Sequence, residues 1–277
     1  MKTMGGNHAL SRRDFAKHCA IIAAAGAIPS RVSAQQAPPT AGPASAESIE
    51  DLVAANRILA TEGVVDGYGH VSARHDRDPN RYLLSRSLAP ELVTAADVME
   101  FDLESTPVDA KGRAIFLERF IHGEIYKVRP DVMAVIHNHS PELIPFGVSS
   151  VPLRPVYHMG AFIAAGVPIF DIREAAGLTD MLVRDAALGK ALAQTLGNHP
   201  AVLMRGHGAV VVGAGLSHAV GRAIYLQLNA RLQSEAMALG GTITYLDPEE
   251  ARRREADVVE DGYRRSWELW KLKALGK

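Results

Sequence analysis

The sequence of 277 residues contains a single cysteine, no excess of charge of one sign and no apolar run long enough to cross a bilayer. A single cysteine cannot form an intramolecular disulfide, and it excludes zinc sites built from two or four thiolates. The 30 Lys and Arg residues balance 31 Asp and Glu residues without forming a basic cluster. This balance argues against a nucleic-acid partner, because binding to phosphates requires a basic surface. With 47% hydrophobic residues, the chain has enough apolar side chains for a folded core.

The N-terminal segment has the pattern of an export signal. Arg12 and Arg13 precede a short apolar run at residues 19–29, and small residues at positions 32–34 provide a cleavage site. The arginine pair resembles a twin-arginine signal, which directs folded and often cofactor-containing proteins out of the cytoplasm. We therefore predict a signal peptide at residues 1–34 and a periplasmic or otherwise exported mature chain. An ordinary amphipathic N-terminal helix is the alternative.

Removal of this predicted signal would change the chemical character of the chain. Residues 1–34 contain the cysteine, five Lys and Arg residues and one Asp, so 243 residues with 25 basic and 30 acidic side chains would remain. Such a chain has no thiol and does not depend on the redox state of its compartment. Three prolines between positions 38 and 43 predict a linker at residues 35–46. We expect one domain at residues 47–277, with no membrane contact once the signal is removed.

Hydrophobic periodicity in the predicted domain indicates alternating helices and strands. Apolar residues recur at helical spacing from residue 49 to residue 59, and Gly63 follows as a stop signal. Further helices are predicted at residues 117–128, 179–196, 217–239 and 248–272, and strands at 71–74, 82–84, 98–101, 132–136, 167–170, 201–204 and 209–212. This order predicts a single α/β domain of three αβα layers with a mostly antiparallel central sheet.

Two histidines follow a buried-type strand. His137 and His139 come directly after the apolar residues Val135 and Ile136. In an extended chain, residues i and i+2 point to the same side about 7 Å apart, so both imidazoles could bind one metal ion. By itself the pair could equally be hydrogen-bonded surface histidines.

Two further residues extend this pattern. His207 lies between Gly206 and Gly208, and glycine permits a tight turn that brings an imidazole close to its neighbours. Three histidines with an open position are typical of a catalytic metal site. Glu118 lies at the start of a predicted amphipathic helix, off its apolar stripe, where a carboxylate could act as a ligand or a proton shuttle. A turn histidine and a glutamate stabilised by the helix dipole are the structural alternatives.

The run from Arg129-Pro130-Asp131 to His139, the glutamate nineteen residues before His137, and Gly206-His207-Gly208 resemble the class II aldolase/adducin family, whose best-known enzyme is fuculose phosphate aldolase. The resemblance extends over most of residues 49–239. It implies that His137, His139 and His207 bind a divalent metal, with zinc favoured and manganese or another first-row ion possible, and that Glu118 is the catalytic acid or base. It further implies a sheet of about nine strands and a homotetramer. Adducin domains lack the metal histidines, so their presence here favours an enzyme.

The sequence departs from the sugar-phosphate enzymes of this family where these bind phosphate. They have a Gly-Asn turn and a pair of serines before the glutamate, whereas this chain has Gly69-His70 and Phe116-Leu117. An apolar wall therefore replaces small hydroxyls, which predicts a substrate without phosphate. The chain is more similar to members that act on non-phosphorylated compounds, including metal-dependent decarboxylases of aromatic or pyridine carboxylates.

Six residues are candidates for contacting a small-molecule substrate. Arginine matches a carboxylate in a bidentate manner, and histidine and tyrosine can line a polar pocket. Each of these types also occurs commonly as a surface ion-pair or strand-end residue. The candidates are His70, Arg74, Arg86, Arg154, Tyr157 and His158.

We therefore expect a metal-dependent carbon–carbon lyase that acts on a small non-phosphorylated hydroxy-carbonyl or hydroxy-aromatic carboxylate compound. Aldol cleavage and decarboxylation both leave a carbanion that must be stabilised as an enolate, and the sequence does not choose between them. A metal-dependent epimerase and a non-catalytic adducin-like binding domain are the alternatives. Aromatic and apolar residues at helical spacing in residues 263–272 predict a C-terminal helix that docks on its own core or on a neighbouring subunit.

Overall fold

The computed structural model describes residues 37–276, so the predicted signal peptide lies outside the described residues. Seven strands form one sheet in this part of the chain. They are β1 (His70–Arg74), β2 (Arg81–Ser85), β3 (Val98–Asp102), β4 (Ala134–Asn138), β5 (Ile169–Phe170), β6 (Ala201–Met204) and β7 (Gly208–Gly213). Their order in the sheet is β3-β2-β1-β4-β7-β6-β5, and every neighbouring pair is antiparallel except β5 and β6. The prediction of a mostly antiparallel α/β sheet is confirmed.

Eight α-helices accompany the sheet in the described residues. They are α1 (Ala46–Thr61), α2 (Phe120–Val128), α3 (Ile144–Val148), α4 (Ile172–Ala176), α5 (Ala186–Leu196), α6 (Leu216–Leu239), α7 (Pro248–Asp261) and α8 (Arg264–Leu275). Short 3₁₀ segments occur at Pro90–Leu92, Ala95–Asp97, Leu117–Arg119 and His158–Ile163. Within residues 37–276, no helix combines the length and apolarity needed to cross a membrane.

Two separate cores lie on the two faces of the sheet. Helices α1 and α6 cover one face, and α2 and α5 cover the other. In β4, Ile136 points into the first core and Val135 into the second, as the alternation of a strand requires. The fold therefore has the three αβα layers expected from the sequence.

The strand count differs from the nine implied by family resemblance, since the described chain has seven. Residues 152–156 show how a segment can run through the fold without joining the sheet. Side chains of α6, and not a neighbouring strand, form hydrogen bonds with its backbone. Gln233 accepts the N–H of Arg154 and donates to the carbonyl of Pro152. Asn229 makes the same pair of bonds with the N–H of Val156 and the carbonyl of Arg154. The backbone is thus satisfied without a β-ladder.

Two predicted helices have different limits in the structure. The helix predicted from residue 179 begins only at Ala186, because the Asp185 side chain caps it by accepting the N–H of Leu188. The C-terminal helix is divided into α7 and α8 because Gly262 and Tyr263 both adopt left-handed backbone angles. The first correction matters for function, since it leaves residues 177–185 free to form a loop, named here the 177–185 loop.

Residues 37–45 form no helix or strand and are attached to the domain by hydrogen bonds. The backbone N–H of Ala41 donates to Glu100, and that of Ser45 donates to Asp76. The Ser45 side chain then caps α1 by accepting the N–H of Ser48.

Candidate metal centre and active site

The strand ends of the central sheet bring the three predicted metal histidines together. His137 is the fourth residue of β4, and His139 follows directly after that strand. His207 lies in the turn between β6 and β7, next to Gly208. A Cβ atom at Gly208 would lie 1.9 Å from the carbonyl oxygen of Asn138, so only glycine lets this turn approach β4 so closely.

The three imidazoles point their Nε2 atoms at one another. The Nε2 atom of His139 lies 3.1 Å from that of His137 and 3.1 Å from that of His207. Glu118 completes the group, and one ligand atom from each of the four residues lies within 4.8 Å of all the others. The spacing of His137 and His139 therefore produces the convergence that the sequence predicted.

Each Nδ1 atom has an acceptor that fixes the orientation of its ring. His137 donates to the carbonyl of Ala209 at 3.2 Å, and His207 donates to the carbonyl of Met181 at 3.0 Å. His139 contacts the Asp66 carboxylate at 3.1 and 3.2 Å. With the proton on Nδ1, a neutral imidazole has a bare lone pair on Nε2. All three bare nitrogens then face the same point.

The Glu118 carboxylate is held by both of its oxygens. Its Oε1 accepts the backbone N–H of Val183 at 2.8 Å, and its Oε2 lies 3.5 Å from the Nε2 atoms of both His137 and His207. Glu118 is only 8% exposed. Burial opposes its ionisation, but His137 and His207 outweigh this effect and hold its pKa well below the usual value.

The donor set of this cluster fits a divalent metal ion. Four lone-pair atoms in contact repel one another unless a positive charge lies between them. A proton can supply part of that charge, and beside Glu118 the pKa of His207 is indeed raised although burial opposes this. Tetrahedral imidazole ligands of zinc lie roughly 3.3 Å apart, given Zn–N distances of about 2.0–2.1 Å. The observed 3.1 Å separations agree with this arrangement.

A cavity of about 570 Å³ opens onto the cluster. Glu118, His139 and His207 of the cluster form part of its polar side. Apolar and small residues from four segments line much of the remaining wall, together with Tyr68, His70 and Ser87; they are Gly67, Leu88, Ala89, Phe116, Leu117 and Leu182. The cavity has room for a small substrate with one polar and one apolar side.

His70 is the one predicted substrate residue that reaches this cavity in the described chain. It lies opposite His137 in the sheet, and its ring is 4.6 Å from that of Phe116. Burial lowers its pKa well below the ordinary histidine value. The buried His122 behind it has its pKa lowered to about 3 by burial and by His137. Both rings are therefore neutral at neutral pH.

The three predicted arginines have other partners. Arg74 donates to the backbone carbonyls of Tyr126, Arg129 and Val132, which joins β1 to the end of α2. Arg86 forms an ion pair with Asp97 at 2.6 Å. Arg154 stacks over the ring of Tyr245 at 3.8 Å. None of the three lines the cavity in the described residues.

Tyr157 and His158 also lie away from the cavity. Their rings pack against each other at 4.7 Å between centroids, at the start of the 3₁₀ segment His158–Ile163. Their predicted substrate contacts, like those of the arginines, stay predictions.

Sequence reasoning missed the residues that hold the cluster in place. Asp66 orients His139, and the 177–185 loop supplies the Met181 carbonyl and the Val183 N–H. Asp66 is followed by Gly67, which signals only a turn, and backbone contacts leave no trace in residue type. For His122, the sequence offered one signal of a place near the cluster: it lies four residues after Glu118, which is one helical turn.

The sequence and the fold are similar to those of known proteins. The family model for the Class II Aldolase and Adducin N-terminal domain matches residues 50–234. Decarboxylase tropJ from Talaromyces stipitatus is 34% identical over 244 residues, covering 80% of this chain and 92% of that protein. The 3,4-dihydroxyphthalate decarboxylase from Arthrobacter keyseri is 29% identical over 211 residues, covering 70% and 80%. The structure of L-fuculose 1-phosphate aldolase from Glaciozyma antarctica PI12 has a TM-score of 0.69 at 26% identity, covering 86% and 94%.

Proposed function

The chain belongs to the class II aldolase and adducin family and is a lyase, and from this premise we propose that it is a metal-dependent decarboxylase of a hydroxylated aromatic acid. Two relatives whose names state decarboxylase activity support this choice within the family. The substrate class is one without phosphate. Zinc is the proposed metal, and manganese is the principal alternative.

The observation that carries the proposal is the apolar wall beside Glu118. Phe116 and Leu117 line the cavity immediately before Glu118, and Leu182 of the 177–185 loop also lines it. These side chains can pack against an aromatic ring. A phosphate group would instead require several N–H or hydroxyl donors at that position. The cavity therefore suits an aromatic carboxylate better than a sugar phosphate.

His137, His139 and His207 would hold the metal through their Nε2 atoms. Three histidine ligands leave a position for substrate oxygens, as in catalytic zinc sites. When bound, such an ion acts as a Lewis acid that stabilises negative charge on vicinal substrate oxygens. The chain's own contribution is to fix the three rings through Ala209, Asp66 and Met181.

Glu118 is the proposed proton shuttle. Glu118 lines the cavity, and as an ionised carboxylate at neutral pH it can accept the proton of a substrate hydroxyl group. The bond between ring carbon and carboxylate then breaks, carbon dioxide leaves, and the electron pair remains on the ring carbon. Glu118 returns its proton to that carbon, so the charge of substrate and products balances. The Val183 N–H keeps the carboxylate at the cavity wall during this exchange.

The test is a product assay with purified protein supplied with zinc or manganese. With 3,4-dihydroxyphthalate we expect release of carbon dioxide, and with L-fuculose 1-phosphate we expect no aldehyde. Aldehyde release without carbon dioxide would replace decarboxylation by aldol cleavage. Metal binding without turnover of either compound would favour a non-catalytic adducin-like domain.

The predicted export and tetramer are further proposals. The proposal of export rests on the Arg12-Arg13 pair. Replacement of both arginines by lysine should keep the uncleaved protein in the cytoplasm. The tetramer rests on family resemblance, and light scattering of the purified protein measures it directly. A cleaved, exported lysine variant or a monomeric mass would contradict the respective proposal.

A further inference from the structure

A chain of four buried side chains runs from the cavity into the core. His70 Nδ1 lies 2.6 Å from His122 Nε2, and His122 Nδ1 lies 2.6 Å from Ser72 Oγ. Ser72 Oγ lies 2.8 Å from the hydroxyl of Tyr126. None of the four residues is more than 2% exposed. We name this set, His70, His122, Ser72 and Tyr126, the buried relay.

Two elements of secondary structure hold the buried relay in register. His70 and Ser72 occupy alternate positions of β1 and therefore face the same side of the sheet. His122 and Tyr126 lie one turn apart on α2 and face that side. Arg74, the next residue of β1 on this face, lies 4.6 Å from the Tyr126 ring and closes the far end.

The hydrogen-bond partners determine the direction of the buried relay. Tyr126 has one hydroxyl proton, and Ser72 Oγ is its only acceptor among the described residues. Ser72 must then donate its own proton to His122 Nδ1, the remaining acceptor in reach. The reverse direction would leave the Tyr126 hydroxyl as a buried donor without an acceptor, which folded proteins avoid.

The same direction fixes the proton on both imidazoles. An imidazole that accepts at Nδ1 carries its proton on Nε2, so His122 donates that proton to His70 Nδ1. His70 in turn accepts at Nδ1 and therefore carries its own proton on Nε2. Within residues 37–276, His70 Nε2 has no hydrogen-bond partner, and His70 lines the cavity. The relay thus ends in an N–H group that is available to a ligand.

We propose that the buried relay makes His70 a permanent hydrogen-bond donor that binds an anionic oxygen of the substrate, either carboxylate or phenolate. His122, Ser72 and Tyr126 act on the substrate only through His70 and are positioning residues. The identity of the acceptor rests on the proposed decarboxylase function, whereas the direction of the relay does not. Because the relay ends at the buried Tyr126, it offers no route for a replacement proton. His70 therefore keeps its proton, and proton transfer stays with Glu118.

The first test locates the proton on His70 directly. Full-length protein labelled with ¹⁵N in its histidine rings is studied by NMR at neutral pH, and His70→Asn identifies the His70 signals. We expect a protonated Nε2 and a bare, hydrogen-bonded Nδ1 in the unsubstituted protein. A proton on Nδ1, or a doubly protonated ring, would overturn the proposal. This result does not depend on activity, because the proton is located in the unsubstituted protein.

The second test removes the donor behind His70. In His122→Phe we expect the His70 Nδ1 signal to lose its hydrogen-bond shift and the KM for 3,4-dihydroxyphthalate to rise about tenfold or more, with a smaller change in kcat. His122→Gln keeps a donor near His70 and should recover part of the lost affinity. The matched control is Tyr82→Phe, which removes a buried hydroxyl of the same core that donates to the Arg119 carbonyl instead. Equal KM changes in His122→Phe and Tyr82→Phe would show that general core damage, not the relay, is responsible.

The two tests separate this inference from the proposed function. A protonated His70 Nε2 in a protein that releases no carbon dioxide would support the relay and refute the decarboxylase. Carbon dioxide release with a bare His70 Nε2 would support the decarboxylase and refute the relay.

Discussion

Replacement of Asp66 should weaken metal binding although Asp66 is not itself a metal ligand. Its carboxylate contacts His139 Nδ1 at 3.1 and 3.2 Å and thereby presents His139 Nε2 to the cluster. Burial opposes ionisation of Asp66, but hydrogen bonds from Tyr68 and His139 keep its pKa below the usual value. At neutral pH it is therefore a charged acceptor that makes the imidazole a stronger ligand.

The size of the effect follows from the exposure of this pair. A hydrogen bond to a charged group contributes about 1.5–3 kcal/mol when it is buried. The Asp66 side chain is 51% exposed, so solvent screening reduces this to about 1–2 kcal/mol. That range corresponds to a roughly 5- to 30-fold loss of metal affinity in Asp66→Ala. Asp66→Asn keeps an acceptor for the backbone N–H groups of Tyr68 and Gly69 and should lose less.

Isothermal titration with zinc, in competition with a chelator, measures these affinities. The matched control is Asp78→Asn, because Asp78 also accepts a backbone N–H in an exposed turn but belongs to no part of the cluster. We expect the control to bind zinc like the unsubstituted protein. Zinc affinity that is unchanged in Asp66→Ala would refute the argument that His139 needs this acceptor.

Three further predictions concern catalysis, folding of the site and pH. Glu118→Gln should retain zinc binding but reduce kcat by roughly 10²- to 10⁴-fold, and full activity in this variant would exclude the proposed proton shuttle. Gly208→Ala should abolish tight zinc binding because its Cβ would meet the Asn138 carbonyl. The control is Gly215→Ala, whose Cβ meets no atom within 4 Å, and it should bind zinc normally in the same titration. Burial and the charge of Arg222 lower the pKa of His218 to about 4, while the unfolded chain binds this proton near pH 6.5. The free energy of unfolding should therefore fall as the pH decreases from about 6.5 to about 4. In a plot of melting temperature against pH, His218→Phe should flatten this part of the curve. An unaltered slope would contradict the contribution of His218.

The central part of the site could be predicted because its residues lie at the ends of regular elements. The spacing of His137 and His139 after an apolar strand indicates their common direction without any tertiary information. Glycines on both sides of His207 indicate a turn, although not which strand it approaches. The long helix α6 and the strands β1 to β4 follow from periodicity for the same reason.

The supporting residues could not be predicted because their roles arise from tertiary contacts. Residues 179–184 have apolar spacing that favours a helix, but the Asp185 cap and the contacts to Glu118 and His207 select a loop. The four members of the buried relay come from two elements about 50 residues apart, and no local pattern joins them. Arginine type alone did not distinguish Arg74, which binds backbone carbonyls, from a substrate ligand.

The 177–185 loop binds the cluster through its main chain only. The two contacting groups are the backbone N–H of Val183 and the backbone carbonyl of Met181. Every type of residue has these groups, except that proline at position 183 would lack the N–H. Leu182, between these two anchors, lines the cavity with its side chain. Substitutions at position 182 can therefore alter the shape of the cavity while both anchors persist. Such an arrangement lets natural or laboratory selection change which compound fits the cavity while the cluster of Glu118, His137, His139 and His207 keeps its contacts.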